Sequence, residues 1–391
     1  MKNLITNYKN TKKLLDVEFI SRTKSNKFDK IFYQNKELYN FSSNDYLGLS
    51  KNPLLIKTSQ KWTDEYGTSL SSSRLVSGNL EKIKEIEKNL SRFSLNEKSL
   101  VMGSGFQANS TLIPALTGNS LGSRCKTFIF SDKLNHSSIN HGCLLTKQRI
   151  FRYRHLDLNH LEYLLKKVPK SSQKLIVSET IFSMDGDFVD IDSIRFLSEK
   201  YDSILYFDEA HSMGVYGNKG FGLASTKKKV EKEIILGTFS KGFGSYGSFV
   251  SCSNYFKKKI INSCGGLIYS TVLPPAVLGS IYAAVKIMPK LDTLRKKIKE
   301  NSIFLISELK KNKINVGGSN SHIIPMILND IESCEKLKKF LIKEGFFIKL
   351  IKSPTVPEGS ERIRISLTAT IEKKIISRLI KTIKNFQKNE D

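Results

Sequence analysis

SILYFDEAH (residues 203–211) runs through five largely apolar positions straight into Asp-Glu-Ala-His. The run is one strand long and shows no polar alternation, which fits a strand buried on both faces, as in a parallel sheet covered by helices. Ligands of such sheets sit at the carboxyl ends of the strands. Outward from this stretch, TFIFSD (127–132), KLIVSET (174–180), EIILGTFS (233–240) and SFVSCS (248–253) repeat the pattern. Most are separated by enough chain for a crossover helix, and several finish on polar residues: Asp132, Glu179, Asp208 and Ser240. The reading predicts an α/β fold with a mainly parallel sheet whose strand tips converge on chemistry.

NLEKIKEIEKNLSRF (79–93) spaces Leu80, Ile83, Ile86, Leu90 and Phe93 along one helix face. After about residue 290 the pattern changes to helix, strand (SHIIPMIL), helix, FFIKLIK, RIRISLT and a final amphipathic helix, as in a smaller α+β domain. The first 40 or so residues read as a helix and a strand pair leading into NFSSNDYLGLS. The expected division is an N-terminal segment (1–45), a large domain (46–288) and a small C-terminal domain (289–391).

At 391 residues the chain can bury a large core, and no apolar run approaches the roughly 20 residues of a membrane span. Lys and Asn interrupt the start before a secretory signal could form, so the cytoplasm is the expected location and no membrane partner is expected. Cys125, Cys143, Cys252, Cys264 and Cys334 are scattered, without the close pairing of a zinc site, and read as free thiols; no metal is expected. The net charge of +26 comes from lysines spread over nearly every segment rather than gathered in a stripe. That distribution favours a solvated surface over a nucleic-acid partner, with attraction to acidic partners left open.

Lys241, in GTFSKGFG (237–244), follows Asp208 by 33 positions. A desolvated lysine forms Schiff bases, and with an aldehyde cofactor of the pyridoxal phosphate kind three needs follow. A carboxylate must keep the pyridine nitrogen protonated, donors must bind the phosphate, and a group must cover the ring. Asp208, three residues before His211, suits the first; GSGFQAN (103–109), a glycine-rich turn opening a helix, suits the second, with Thr238 and Ser240 adding hydroxyls. Asp-Glu-Ala-His also occurs in helicases, but no GxxxxGK[ST] loop accompanies it here.

The stretches FSSNDYLGLS (41–50), SSSRLVSGN (71–79), GSGFQAN, SDKLNHSSINHGC (131–143), ETIFSMDGD (179–187), YFDEAHSMGVYGNKGFG (206–222), GTFSKGFGSYG (237–247), CGGLIYSTVLPPAVLG (264–279) and SPTVPEGSERIRISLTA (353–369) together resemble the α-oxoamine synthases, over roughly residues 38–370. The resemblance implies a fold type I, aspartate aminotransferase-like enzyme that uses pyridoxal 5'-phosphate, works as a homodimer and condenses an amino acid with an acyl thioester. By that likeness Lys241 would bear the cofactor and remove the Cα proton, Asp208 would pair with the pyridine nitrogen, His211 would bond the phenolic oxygen and His136 would stack on the ring. Gly105, Phe106, Ser183 and Thr238 would bind the cofactor, and Ser270 and Thr271 would reach its phosphate across the dimer. Arg364 would hold the amino acid carboxylate, Thr355 would line the substrate site, and Arg22, Asn44 and Lys352 are substrate-site candidates. Asn44, Arg74 and Gly78 stand equally as turn formers, Glu179 and Asp185 as groups that orient neighbours, and His141, His155, His160 and His322 as structural.

Within the family the likeness points to L-alanine and a pimeloyl thioester, carried by coenzyme A or by an acyl carrier protein; glycine with acetyl or succinyl coenzyme A, or a long-chain acyl donor, is the alternative. Two departures bear on this. Lys352-Ser353 stands where an Arg-Pro pair is frequent, and Ala369-Thr370-Ile371 replaces a frequent Ala-Ala-His.

Overall fold

Leu205 and Phe207 pack into one apolar layer and Ile204 and Tyr206 into the other, so this run is buried on both faces. The structure, a computed structural model, describes residues 29–118, 126–226, 229–328 and 330–390. Arg22, Cys125 and the expected N-terminal helix lie outside the described residues. Strands β1 (Lys30–Tyr33) and β2 (Lys36–Asn40) form the expected hairpin. Then β3 (Lys98–Met102), β4 (Thr127–Asp132), β5 (Arg149–Tyr153), β6 (Gln173–Glu179), β7 (Ile204–Asp208), β8 (Glu233–Thr238) and β9 (Ser248–Cys252) build one sheet in the order β3-β9-β8-β7-β6-β4-β5. The pairs from β8 to β5 are parallel and β9 runs antiparallel to both neighbours. The expected α/β class is therefore met.

Crossing segments supply α1 (Pro53–Tyr66), α2 (Glu81–Ser94), α3 (Gly105–Leu116), α4 (Ser137–Leu145), α5 (Leu158–Lys166), α6 (Ile191–Lys200), α7 (Asn254–Ser263) and α8 (Pro275–Ile287). Leu112 of α3, Ile139 of α4 and Ile260 of α7 cover one face of the sheet; Leu161 of α5 and Ile194 of α6 share the apolar layer on the other. Each of those five residues is 0% exposed, so both sheet faces are dry.

The C-terminal part holds α9 (Asp292–Lys311), β10 (Ile323–Ile327), α10 (Ile331–Lys343), β11 (Phe346–Phe347), β12 (Lys349–Ile351), β13 (Arg362–Ser366) and α11 (Lys373–Glu390). FFIKLIK, read as one strand, splits between two sheets: β11 joins the N-terminal hairpin beside β2, and β12 is an edge of an antiparallel β10-β13-β12 sheet. Burial explains the split, since Phe346 and Phe347 are both buried while β12 is half-exposed.

Two contacts seat the loop after β6, which carries ETIFSMDGD. Gly186 turns with φ +72°, and any Cβ there would collide with the Ile323 carbonyl of β10, so the loop closes directly on the C-terminal sheet. His155 clamps the other side: Nδ1 lies 3.0 Å from Asp132 Oδ1, Nε2 lies 2.9 Å from Asp187 Oδ2, and the ring meets Phe182 edge-on. Burial opposes charge on this imidazole, but the bonds to Asp132 and Asp187 prevail and raise its pKa to about 10. A histidine raised above its unfolded value of about 6.5 stabilises the fold fully below that pH and loses the contribution as pH rises through about 10. His155→Gln is accordingly expected to lower the urea midpoint most near pH 6.5, with the gap to the parent protein closing toward pH 10.

Candidate active site

Lys241 follows β8 on a glycine turn that packs against the N-terminal part of the chain, since a Cβ on Gly244 would strike the Leu49–Ser50 backbone. Its Nζ lies 2.7 Å from His211 Nε2, and His211 Nδ1 lies 2.6 Å from the Tyr46 hydroxyl. Tyr46 in turn reaches Asn44 Oδ1 at 3.3 Å. Burial, countered by Asp208 and Glu179, brings the lysine amine down to about 8. Burial, with the Lys241 charge beside it, holds His211 far below the usual imidazole range. The result is an amine within reach of its free-base form near neutral pH.

Asp208 caps β7. Its Oδ2 accepts from Asn109 Nδ2 at 2.8 Å and its Oδ1 from the Ala210 amide at 2.9 Å. His136 is the N-cap of α4: its Nδ1 accepts from the Ser138 amide and lies 2.7 Å from Ser138 Oγ, while its own amide donates to Glu179 Oε1 at 2.6 Å. Burial drives the Glu179 carboxyl well above its ordinary value. Ser104 caps α3 by accepting from the Gln107 amide, which leaves the Gly105 and Phe106 amides at the helix start, where donors lack intrahelical acceptors. A Cβ on Gly105 would stand 2.8 Å from Thr238 Cγ2, so this helix start abuts the tip of β8. Thr238 Oγ1 is buried with no hydrogen-bond partner among the described residues. An anion-favouring helix start beside an orphaned buried hydroxyl suits a phosphate group.

Arg364 of β13 donates from Nε to the Ser183 carbonyl at 2.6 Å and from Nη1 to Ser366 Oγ at 2.8 Å. Arg362 pairs with Asp185 at 2.6 Å, which gives Asp185 an orienting contact. A cavity of about 680 Å³ opens between Lys133, His136, Asn140, Ser183, Met184 and the Ser353–Pro357 segment with Thr355. Lys352 is not on that wall. Ser270 accepts from Gln107 at 2.9 Å and Thr271 bridges to Ser73, beside a largely exposed Tyr269. Phe106 is half-exposed and rests near His141.

The structure thus brings Lys241, His211, Asp208, His136, Thr238, Gly105, Ser183, Arg364 and Asn44 around one end of the sheet. Arg74 forms an ion pair with Glu87 of α2 at 2.5 Å, and Gly78 packs against the Ser72 carbonyl. Sequence reasoning passed over Tyr46, Asn109 and Ser138, although each sits inside a quoted motif. It treated His322 as structural; the ring is fully buried edge-on against Tyr46, 4.0 Å away, and burial brings it down to about 3.

Cys143, Cys252, Cys264 and Cys334 are buried and free, and burial pushes the first two thiols up to about 12, away from nucleophilic use. Among the described residues no helix is long and apolar enough to cross a membrane.

Residues 36–383 match the family described as Aminotransferase class I and II. A Magnetococcus marinus protein whose provisional name is 8-amino-7-oxononanoate synthase is 43% identical over 335 residues, 85% of this chain and 84% of that one. The 8-amino-7-oxononanoate synthase of Gluconacetobacter diazotrophicus is 37% identical over 350 residues, 89% of this chain and 87% of its own. The solved serine palmitoyltransferase of Sphingomonas wittichii superposes with a TM-score of 0.87 at 25% identity, covering 97% of this chain and 94% of that one. Matched nearly end to end by the family, and by relatives at this identity, the chain belongs to the class I and II aminotransferases as a pyridoxal-phosphate-dependent α-oxoamine synthase of fold type I.

Proposed function

We propose that this enzyme is an 8-amino-7-oxononanoate synthase of biotin synthesis, active in the cytoplasm. It joins L-alanine to a pimeloyl thioester of coenzyme A or acyl carrier protein and releases carbon dioxide and free thiol. The observation that carries the reading is the buried Lys241 amine, lowered to about 8 and close enough to Arg364 to feel its charge, in a chain 37% identical to a relative bearing that name.

Bound pyridoxal phosphate supplies an electron sink for charge developing at the amino acid Cα. Asp208, held by Asn109 and Ala210, keeps the proton on the pyridine nitrogen, and His211 donates at the phenolic oxygen. Thr238 Oγ1, the Gly105 and Phe106 amides and Ser183 hold cofactor oxygens. A second copy of the chain would bring its own Ser270 and Thr271 to the phosphate. Arg364 holds the alanine carboxylate with the donors its Ser183 and Ser366 bonds leave over, assisted by Asn44. Lys241, whose amine would hold the cofactor, would also take the Cα proton and later return one. His136 covers the ring, and Thr355 lines the acyl path. Arg22 remains a candidate for the substrate carboxylate. The distal carboxylate of the pimeloyl chain has a cation on the cavity wall in Lys133, a place that Lys352 does not occupy.

Substrate competition tests the reading. L-alanine with pimeloyl coenzyme A is expected to exceed glycine with acetyl or succinyl coenzyme A by at least about 10-fold in kcat/KM, the discrimination one methyl group can supply. A preference for glycine or serine would keep the α-oxoamine reaction and remove the biotin assignment.

A further inference from the structure

Asn109 is 1% exposed, and all of its amide is engaged. One Nδ2 proton goes to Asp208 Oδ2 at 2.8 Å, the other to Ser138 Oγ at 2.9 Å, and Oδ1 accepts from the Tyr206 hydroxyl at 2.8 Å. The polarity of this arrangement is fixed from outside. A carboxylate only accepts, so the NH2 side must face Asp208 and the oxygen must face Tyr206. Burial raises the Tyr206 phenol well above its ordinary value, so it stays a donor. Ser138 Oγ, accepting from Asn109, has its single proton left for His136 Nδ1, 2.7 Å away. The Ser138 amide aims at the same nitrogen from 3.2 Å. With two donors on Nδ1, the ring proton belongs on Nε2. The α4 N-terminus, whose dipole disfavours positive charge, and burial, which lowers the His136 pKa, both keep the ring neutral.

We propose that Asn109 is a positioning residue: through Ser138 it fixes His136 as the Nε2–H tautomer, and with its second proton it orients Asp208, so that one amide sets both the ring-covering and the pyridine-facing groups. The Nε2–H is then a ready donor for a carbonyl oxygen entering the cavity that His136 lines. This last use rests on the proposed acyl transfer, whereas the tautomer itself does not.

The test is nitrogen-15 spectroscopy of histidine-labelled, full-length protein, with and without pyridoxal phosphate, the His136 signals being assigned by their loss in His136→Gln. The parent protein is expected to show protonated Nε2 and bare Nδ1. Asn109→Asp keeps the shape and sets a carboxyl against Asp208, where the two acids share one proton; the oxygen facing Ser138 then only accepts, so the Ser138 proton turns toward it and the His136 proton moves to Nδ1. Adding Ser138→Ala to that variant cuts the relay, so the double variant should show the tautomer balance of Ser138→Ala alone, with no further effect of Asn109→Asp. Should Asn109→Asp fail to fold, Ser138→Ala and Ser138→Thr decide. The first leaves only the amide on Nδ1 and should raise the Nδ1–H population, and the second should restore the parent tautomer. Turnover in Asn109→Asp is expected to fall about 10²-fold, the scale of one lost oxyanion donor. A parent protein with its proton on Nδ1, or a tautomer indifferent to Asn109→Asp and Ser138→Ala, would overturn the proposal. A normal tautomer without acyl transfer would instead count against the proposed function.

Discussion

Lys241→Ala is expected to abolish turnover, by at least about 10⁴-fold, and to leave the cofactor bound without the visible band of a lysine-linked species. The methyl group that remains can neither carry the cofactor nor reach the Cα proton. The size of the effect follows from the double duty of one amine. Burial lowers Lys241 to about 8, so a usable fraction is free base near neutral pH, and the 2.7 Å contact with His211 holds Nζ at the tip of the sheet. Absorbance spectra before and after L-alanine, beside single-turnover assays, make the check. Turnover within 10-fold of the parent would remove Lys241 from the chemistry. The fold should persist, because the lysine is attached by a glycine turn whose packing does not involve its side chain.

The second large effect is expected at Asp208→Asn. The substitution preserves size, and the introduced amide can still accept from the Ala210 or Asn109 nitrogens. What it removes is the negative charge that keeps the pyridine nitrogen protonated, and without that proton the ring withdraws electrons poorly from Cα. Turnover should fall about 10²–10³-fold, on the order of 3–4 kcal/mol in the barrier, with little change in the alanine concentration needed for half-saturation. Steady-state kinetics with the cofactor saturating separate this from weak cofactor binding. A variant whose whole defect disappears at high cofactor concentration would show that Asp208 acts in binding alone.

The central strands were legible because burial on both faces writes itself as unbroken apolar runs, and the polar tips Asp132, Glu179 and Asp208 stand out against them. Two members of the same sheet were not. RIFRY at β5 is an edge strand whose arginines face outward, and KSLVM at β3 is short and follows a charged helix end without punctuation. In the site, residues whose chemistry is local to a motif were readable: the lysine among small residues, the acid and histidine after a strand. Tyr46, Asn109 and Ser138 act through contacts spanning 165, 99 and 29 positions of chain, which no local pattern encodes. The double carboxylate clamp gives His155 a structural role, though nothing in RHLD announces two partners.

The N-terminal hairpin pairs with β11 near the other end of the chain, and the ties continue beyond it: the Ser366 amide donates to the Phe41 carbonyl and the Ala369 amide to the Tyr46 carbonyl, both at 2.7 Å. During synthesis all seven strands of the sheet are therefore available once Cys252 has left the ribosome, while Tyr46 must wait for more than a hundred further residues before its backbone is seated. At roughly 5–20 residues per second that is a delay of several seconds or more. A ribosome-bound chain in that interval would hold Asp208 and Lys241 on a finished sheet with His211 still lacking its phenol partner. The newborn enzyme would pass through a stage that is folded but not yet competent, and competence would arrive with the last long-range pairing rather than with the core.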